Sequence, residues 1–112
     1  DYIRNHINQV ENSIASQNFK DPINGYRKYI DTKSLMDFII INELTKNPDA
    51  YRLSTFFYKE RDSEGGKIKF GPVWDFNLGF GNVDYCTQGN PEGLVILNFN
   101  EVCSGDWWVV HF

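Results

Sequence analysis

The sequence has no block of like charges and no long apolar run. Its 11 Lys and Arg residues stand against 15 Asp and Glu residues, which gives a net charge of −4. A nucleic-acid-binding domain normally carries a basic stripe, and a membrane-spanning helix needs roughly 20 consecutive apolar residues. We therefore expect no nucleic-acid partner and no membrane span in this segment.

Cysteine is scarce, with only Cys86 and Cys103 in the chain. Neither has a second cysteine pair or a histidine pair beside it, so the pattern does not favour a zinc site. The residues leave two alternatives open. They are either free thiols or a disulfide that closes a long loop in an oxidising compartment, where such a bridge would add about 3 kcal/mol of stability.

The length of 112 residues corresponds to one domain or part of one. The chain starts at Asp1 and stops on an apolar run at residues 107–112, whereas domain termini are usually polar and loosely held. We expect a partial domain with three parts. These are a helix with its connection at residues 1–25, a core of helix, loop and hairpin at 26–82, and a cysteine-containing loop at 83–112.

Hydrophobic periodicity predicts an α+β fold in which two helices pack on an antiparallel β-hairpin. The first helix is amphipathic, whereas the second is apolar around most of its circumference and has Asp31 or Thr32 as its cap. Asp37 and Glu43 on the second helix are expected to be structural partners of Arg or backbone groups. The predicted elements are helices at residues 1–17 and 33–46, strands at 54–60 and 67–73, and a short strand at 94–99.

Two acidic residues flank the predicted hairpin. Asp49 lies in the loop before its first strand, and Asp75 follows its second strand. Because a hairpin returns the chain to its starting point, we expect the two carboxylates to lie close together. Hard oxygen ligands of this kind suit Mg²⁺ or Mn²⁺. The alternative is that both acids only form turns at the ends of their elements.

The order of these elements matches the core of protein-kinase-like phosphotransferases. There, a helix precedes a catalytic loop whose Asp accepts the substrate hydroxyl proton, and a metal-binding Asp precedes a glycine-containing segment. The usual kinase motifs are missing. Asp49 is not the last residue of a His-Arg-Asp motif, and Asp75 begins Asp-Phe-Asn rather than Asp-Phe-Gly.

Several short motifs in the right order make the chain resemble the CotH kinase family, which is found among bacterial spore coat, surface and exported proteins. The resemblance covers most of residues 26–112, and its tail is similar to the version in exported proteins of the Bacteroides group. The matching motifs are YID at 29–31, SLMDF at 34–38, NEL at 42–44, NPDAY at 47–51, STFFYK at 54–59 and GPVWDFN at 71–77.

The resemblance implies part of a kinase-like catalytic lobe that uses ATP with Mg²⁺ or Mn²⁺. By position it makes Asp75 the metal ligand, with Asn77 where the family usually has a second Asp. Asp49 would be the catalytic carboxylate, and Asn47 and Ser54 would help to bind the cofactor. The resemblance also implies an exported location and a disulfide between Cys86 and Cys103.

The implied reaction moves the γ-phosphoryl group of ATP to Ser or Thr of a surface or coat protein. We expect residues 1–112 to be inactive alone, because a glycine-rich phosphate loop and a phosphate-pairing Lys are not found in them. The alternative function is a non-catalytic, pseudokinase-like module for surface binding or for structure, in which Asn77 marks a degenerate site.

Overall fold

The computed structural model describes residues 1–85 and 89–97. Helix α1 (Tyr2–Ala15) and helix α2 (Thr32–Thr45) are followed by strands β1 (Phe57–Lys59) and β2 (Ile68–Phe70). Short 3-10 helices at Tyr26–Lys28 and Asp62–Glu64 lie in the connections. The predicted α+β class is confirmed. Both helices occur within a residue or two of their predicted bounds.

Helix α2 begins at the predicted cap. Asp31 precedes its first turn, and the Asp31 carboxylate accepts a hydrogen bond of 2.8 Å from the backbone N–H of Ser34. That bond favours the charged carboxylate and lowers the pKa of Asp31. The helix ends at Lys46, which has left-handed backbone geometry and whose N–H donates to the carbonyls of Asn42 and Glu43. Sequence alone therefore located both ends of α2.

Strands β1 and β2 form the predicted antiparallel hairpin, with Phe57 opposite Phe70 and Lys59 opposite Ile68. Backbone bonding continues beyond the strands, because the Gly71 N–H donates to the Phe56 carbonyl at 2.8 Å. The strands are nevertheless shorter than the predicted ones. The turn between them contains the second 3-10 helix and ends in glycines at positive φ.

Two clusters of buried side chains fasten the helices to the hairpin. In the first, Val10 of α1 and Leu35 of α2 pack with Ile68 of β2. In the second, Phe38 of α2 packs with Tyr51. Phe70 contacts both clusters. Helix α2 therefore packs on strand β2, while α1 contacts the 3-10 helix at Tyr26–Lys28 and shares a buried cluster with β2.

Two features of the fold differ from expectation. Residues 95–97 are helical, where a strand was predicted over 94–99. A short apolar run does not distinguish a buried helical turn from a strand, which explains the error. Within the described residues, the α2 face made of Met36, Ile40 and Leu44 is exposed. A helix that is apolar around most of its circumference is expected to be buried on several sides, and this face is exposed instead.

Cys86 and Cys103 lie outside the described residues. Over residues 1–85 and 89–97, no helix has the length and apolar character needed to cross a membrane.

Candidate functional site

The loop after α2 folds back on itself at Asp49. Pro48 keeps residue 47 out of helical geometry and so ends the helix. The carbonyl of Asp49 then accepts three backbone N–H groups, from Arg52, Leu53 and Ser54, at 3.0 to 3.2 Å. This tight turn brings Ser54 back beside the start of the loop, where it is buried.

Asp75 has an unusual backbone conformation. It lies beyond the end of β2 with φ of 64°, in the left-handed region that side chains other than glycine rarely adopt. Asp tolerates this region better than most residues, and residues held there cluster at functional sites. The Asp75 residue is exposed. The residue therefore lies at the surface of the site.

A hydrogen bond joins the loop that follows α2 to the carboxylate of Asp75. The Ser54 hydroxyl donates to Oδ2 of Asp75 at 2.9 Å, across a sequence separation of 21 residues. The other oxygen, Oδ1, accepts no hydrogen bond from any described residue. Ser54 thus fixes one side of the carboxylate, and among the described residues the other oxygen has no hydrogen-bond donor.

Asn47 links both candidate acids through one buried side chain. Its Oδ1 accepts the backbone N–H of Asp49 at 3.2 Å, and its Nδ2 donates to the carbonyl of Asp75 at 3.2 Å. The sequence predicted that Asp49 and Asp75 lie close together, and the structure connects their backbones through this amide. Asn47 is 0% exposed, so it does not face solvent as a direct cofactor contact would require.

The Asp49 carboxylate is paired with a cation that the sequence analysis did not identify. Arg52 approaches Oδ1 of Asp49 at 3.4 Å, with side-chain exposures of 27% for Arg52 and 14% for Asp49. The Nε of Arg52 is buried and has no hydrogen-bond partner among the described residues. A basic residue one turn after the loop acid was the signal that could have identified this pair.

Asn77 and Trp74 lie at the surface. The Asn77 residue is exposed, and its carbonyl accepts a bond of 2.7 Å from the side chain of Asn82. Trp74 is 49% exposed and packs edge-on against Phe56, with the ring centroids 5.1 Å apart. These rings form one exposed edge of the site.

The side chains near Asp75 can be compared with the ligands that a metal ion requires. Among residues 1–85 and 89–97 there is no group of three His, Cys, Asp or Glu side chains that could hold a metal ion. Mg²⁺, however, is usually bound by one or two carboxylates together with substrate phosphates and waters. The open Asp75 carboxylate fits a cation that is shared with nucleotide phosphates, and the described residues do not form an all-protein cage.

Glu43 has the structural role expected of it. Its carboxylate accepts the Tyr51 hydroxyl at 2.7 Å and the backbone N–H groups of Val95 and Ile96 at 2.6 and 2.9 Å. Burial and the bond to Glu43 both raise the pKa of Tyr51. Lys46 donates to the carbonyl of Gly93 in the same segment. Residues 92–96 are thereby attached to the end of α2.

Comparison with known proteins agrees with the resemblance carried by the motifs. No curated protein and no solved structure gave a significant match. The family model described as CotH kinase protein matches residues 1–107, which is nearly the whole chain and includes the loop, the hairpin and the Asp75 segment. The chain therefore belongs to the CotH kinase family.

Proposed function

We propose that Asp49, Ser54 and Asp75 belong to a centre that transfers the γ-phosphoryl group of ATP to a protein hydroxyl. The observation that carries the proposal is the hydrogen bond of 2.9 Å between Ser54 and Asp75. It joins the loop that would position the acceptor to the acid that would hold the metal. Kinase-type centres require these two parts to be next to each other.

The spacing within the loop supports this assignment. In protein kinases the catalytic loop reads H-R-D-x-x-x-x-N, and its Asn serves the metal site together with the Asp of D-F-G. Ser54 has the same spacing from Asp49 as that Asn has from the loop Asp. The Ser54 hydroxyl contacts Asp75 directly, which is where the kinase arrangement would place it.

Asp75 would hold Mg²⁺ or Mn²⁺ through its open carboxylate oxygen, while Ser54 keeps the other oxygen in place. When bound, such a cation neutralises the charge that develops on the phosphoryl oxygens. The amide oxygen of Asn77 is a weaker candidate for the same site. Its exposure leaves it free to turn towards a bound nucleotide.

Asp49 would orient the acceptor. Arg52 engages Oδ1, and no described residue donates to the second oxygen, which would accept a hydrogen bond from a Ser or Thr hydroxyl. As the hydroxyl oxygen forms a bond to the γ-phosphorus, its proton passes to Asp49 and the bond between the γ-phosphorus and ADP breaks. The 14% exposure of the Asp49 side chain shields this proton transfer from bulk water.

The protein that accepts the phosphoryl group and the cellular location of the enzyme belong to the same proposal. We infer a Ser or Thr of a protein at the cell surface or in a coat, since the family includes spore coat and exported proteins. A disulfide between Cys86 and Cys103 would fit an exported location. Residues 1–112 carry no glycine-rich phosphate loop with its Lys, so activity is expected of the full-length protein and not of these residues alone.

The test is incorporation of label from γ-labelled ATP by the full-length protein with Mn²⁺ or Mg²⁺. Asp75→Ala should abolish transfer. Asp49→Asn should lower the rate about 10²- to 10⁴-fold, the range expected of a general base. The matched control is Asp84→Asn, because Asp84 is an exposed acid in the following segment and has no part in the site. Equal rates for Asp75→Ala and wild type would refute the assignment.

A surface-binding module is the second candidate, and the exposed pair of Phe56 and Trp74 favours it. Exposed aromatic side chains bind ligands by stacking. This function predicts that wild-type protein neither transfers phosphate nor binds nucleotide with metal. It also predicts that Trp74→Ala weakens attachment to cell-surface material.

A further inference from the structure

The buried amide of Asn47 forms the centre of a polar network beneath the site. Asn47 is 0% exposed and Asn42 is 2% exposed. Nδ2 of Asn47 lies 3.2 Å from the Asp75 carbonyl and 3.5 Å from Oδ1 of Asn42. The backbone N–H of Asn47 donates to the Asn42 carbonyl at 3.1 Å. A buried polar side chain is stable only when its groups are paired, and here both ends of the amide are paired.

The chemistry of its neighbours fixes the orientation of this amide. The N–H of Asp49 can only donate, so it requires Oδ1 of Asn47. The Asp75 carbonyl can only accept, so it requires Nδ2. Asn42 is oriented in turn, because its Nδ2 donates to the Phe38 carbonyl at 2.9 Å and its oxygen is left to face Asn47. Rotating the Asn47 amide would lose the bonds to both acid-bearing segments.

The bond to the Asp75 carbonyl supports the unusual backbone there. Asp75 has φ of 64°, a conformation that surrounding contacts must hold in place. Asn47 holds its carbonyl and Ser54 holds its carboxylate. Without the Asn47 donor, Asp75 is free to rotate about its N–Cα bond towards the more common negative φ. The carboxylate would then turn away from Ser54.

We infer that Asn47 is a positioning residue that sets the direction of the Asp75 carboxylate and couples it to the Asp49 loop, and that it does not contact nucleotide. This inference rests on the proposed function for the identity of the ligand that Asp75 receives. It assigns Asn47 to the support of the site, whereas the resemblance implied a direct role in cofactor binding.

The experiment is a Mn²⁺ titration, followed by electron paramagnetic resonance, of the full-length protein with ATP present. For Asn47→Ala, the Mn²⁺ concentration at half-saturation should rise about 10- to 100-fold, the usual effect of removing a group that orients a metal ligand. A purely structural role would reduce the number of sites and leave the half-saturation point unchanged, and that result would overturn the inference.

The matched control is Asn90→Ala. Asn90 also makes a side-chain hydrogen bond to the backbone, in which its Oδ1 accepts the N–H of Glu92 at 3.0 Å, but it is exposed and has no described hydrogen bond to Asp75 or Asn77. Its variant should bind Mn²⁺ with ATP as wild type does. If both variants weaken binding equally, Asn47 has no special relation to Asp75.

A second measurement does not depend on the variant being folded. In the wild-type protein, the side-chain amide protons of Asn47 should exchange with water slowly, because they are buried and hydrogen-bonded. Exchange as fast as that of the exposed Asn82 side chain would overturn the inference.

The two proposals can fail separately. If wild type binds no Mn²⁺ with ATP, the proposed function fails. The positioning role is then decided by the Asp75 carbon chemical shifts, which report its backbone conformation. These shifts should change in Asn47→Ala, and unchanged shifts would refute the role.

Discussion

The hydrogen bonds of Glu43 allow a quantitative prediction about the free energy of unfolding. Its carboxylate accepts three hydrogen bonds, one from Tyr51 and two from the backbone of residues 95 and 96. Tyr51 is 1% exposed, so its hydroxyl cannot turn to water when this partner is removed. The perturbation is Glu43→Ala, compared with Tyr51→Phe and with the double variant.

The magnitudes follow from how buried each partner is. Glu43→Ala leaves the Tyr51 hydroxyl buried and unpaired, which costs about 1–3 kcal/mol. The two freed N–H groups belong to Val95, which is 2% exposed, and to half-buried Ile96, and their loss adds to this cost, so the sum is about 3 kcal/mol or more. Tyr51→Phe removes the donor together with its need for a partner and should cost about 1 kcal/mol. Adding Tyr51→Phe to Glu43→Ala should recover about 1 kcal/mol or more, because the orphaned hydroxyl is gone.

Urea denaturation of the four proteins measures these differences. With a slope of about 1–3 kcal/mol per M, Glu43→Ala should unfold at a midpoint lower by roughly 1 M or more. The double variant should unfold at a higher urea concentration than Glu43→Ala alone. If Tyr51→Phe costs the same with and without Glu43, the two side chains are not coupled, and the stabilising role given to the Tyr51–Glu43 hydrogen bond is wrong.

Two further predictions concern the helix cap and one glycine. Asp31→Ala should destabilise the protein by about 1 kcal/mol at neutral pH, whereas Asp31→Asn keeps the cap to Ser34. Because the folded-state pKa of Asp31 lies below its ordinary 3.8, the advantage of wild type over Asp31→Asn in thermal melts is present above that value and is lost as pH falls through the folded pKa. Gly25→Ala should cost about 2 kcal/mol or more, because its new Cβ would collide with the Phe19 carbonyl. Gly89→Ala, whose Cβ would meet no atom within 4 Å, should melt like wild type.

Local patterns in the sequence predicted the elements that depend on local physics. The cap at Asp31, the end of α2 before Pro48 and the hairpin all follow from residues close together in the chain. Motif order also identified Asp49, Ser54 and Asp75 as one group, and the structure joins Ser54 to Asp75 directly.

Contacts between distant residues could not be predicted in the same way. Asn47 reaches Asp75 across 28 residues, and Glu43 reaches residue 95 across 52. No periodicity indicates that one amide is buried between two acid-bearing segments, or that one carboxylate holds a distant turn. The left-handed geometry of Asp75 was equally hidden, since Asp carries no sequence signal for it comparable to that of glycine.

The central claim is that Asp75 holds a divalent cation together with nucleotide phosphates. Its most direct test is Mn²⁺ affinity of the full-length protein measured with and without ATP, for wild type and Asp75→Asn. Wild type should bind Mn²⁺ at least about 10-fold more tightly when ATP is present, and Asp75→Asn should lose that gain. Equal Mn²⁺ affinity of the two proteins in the presence of ATP would contradict the claim.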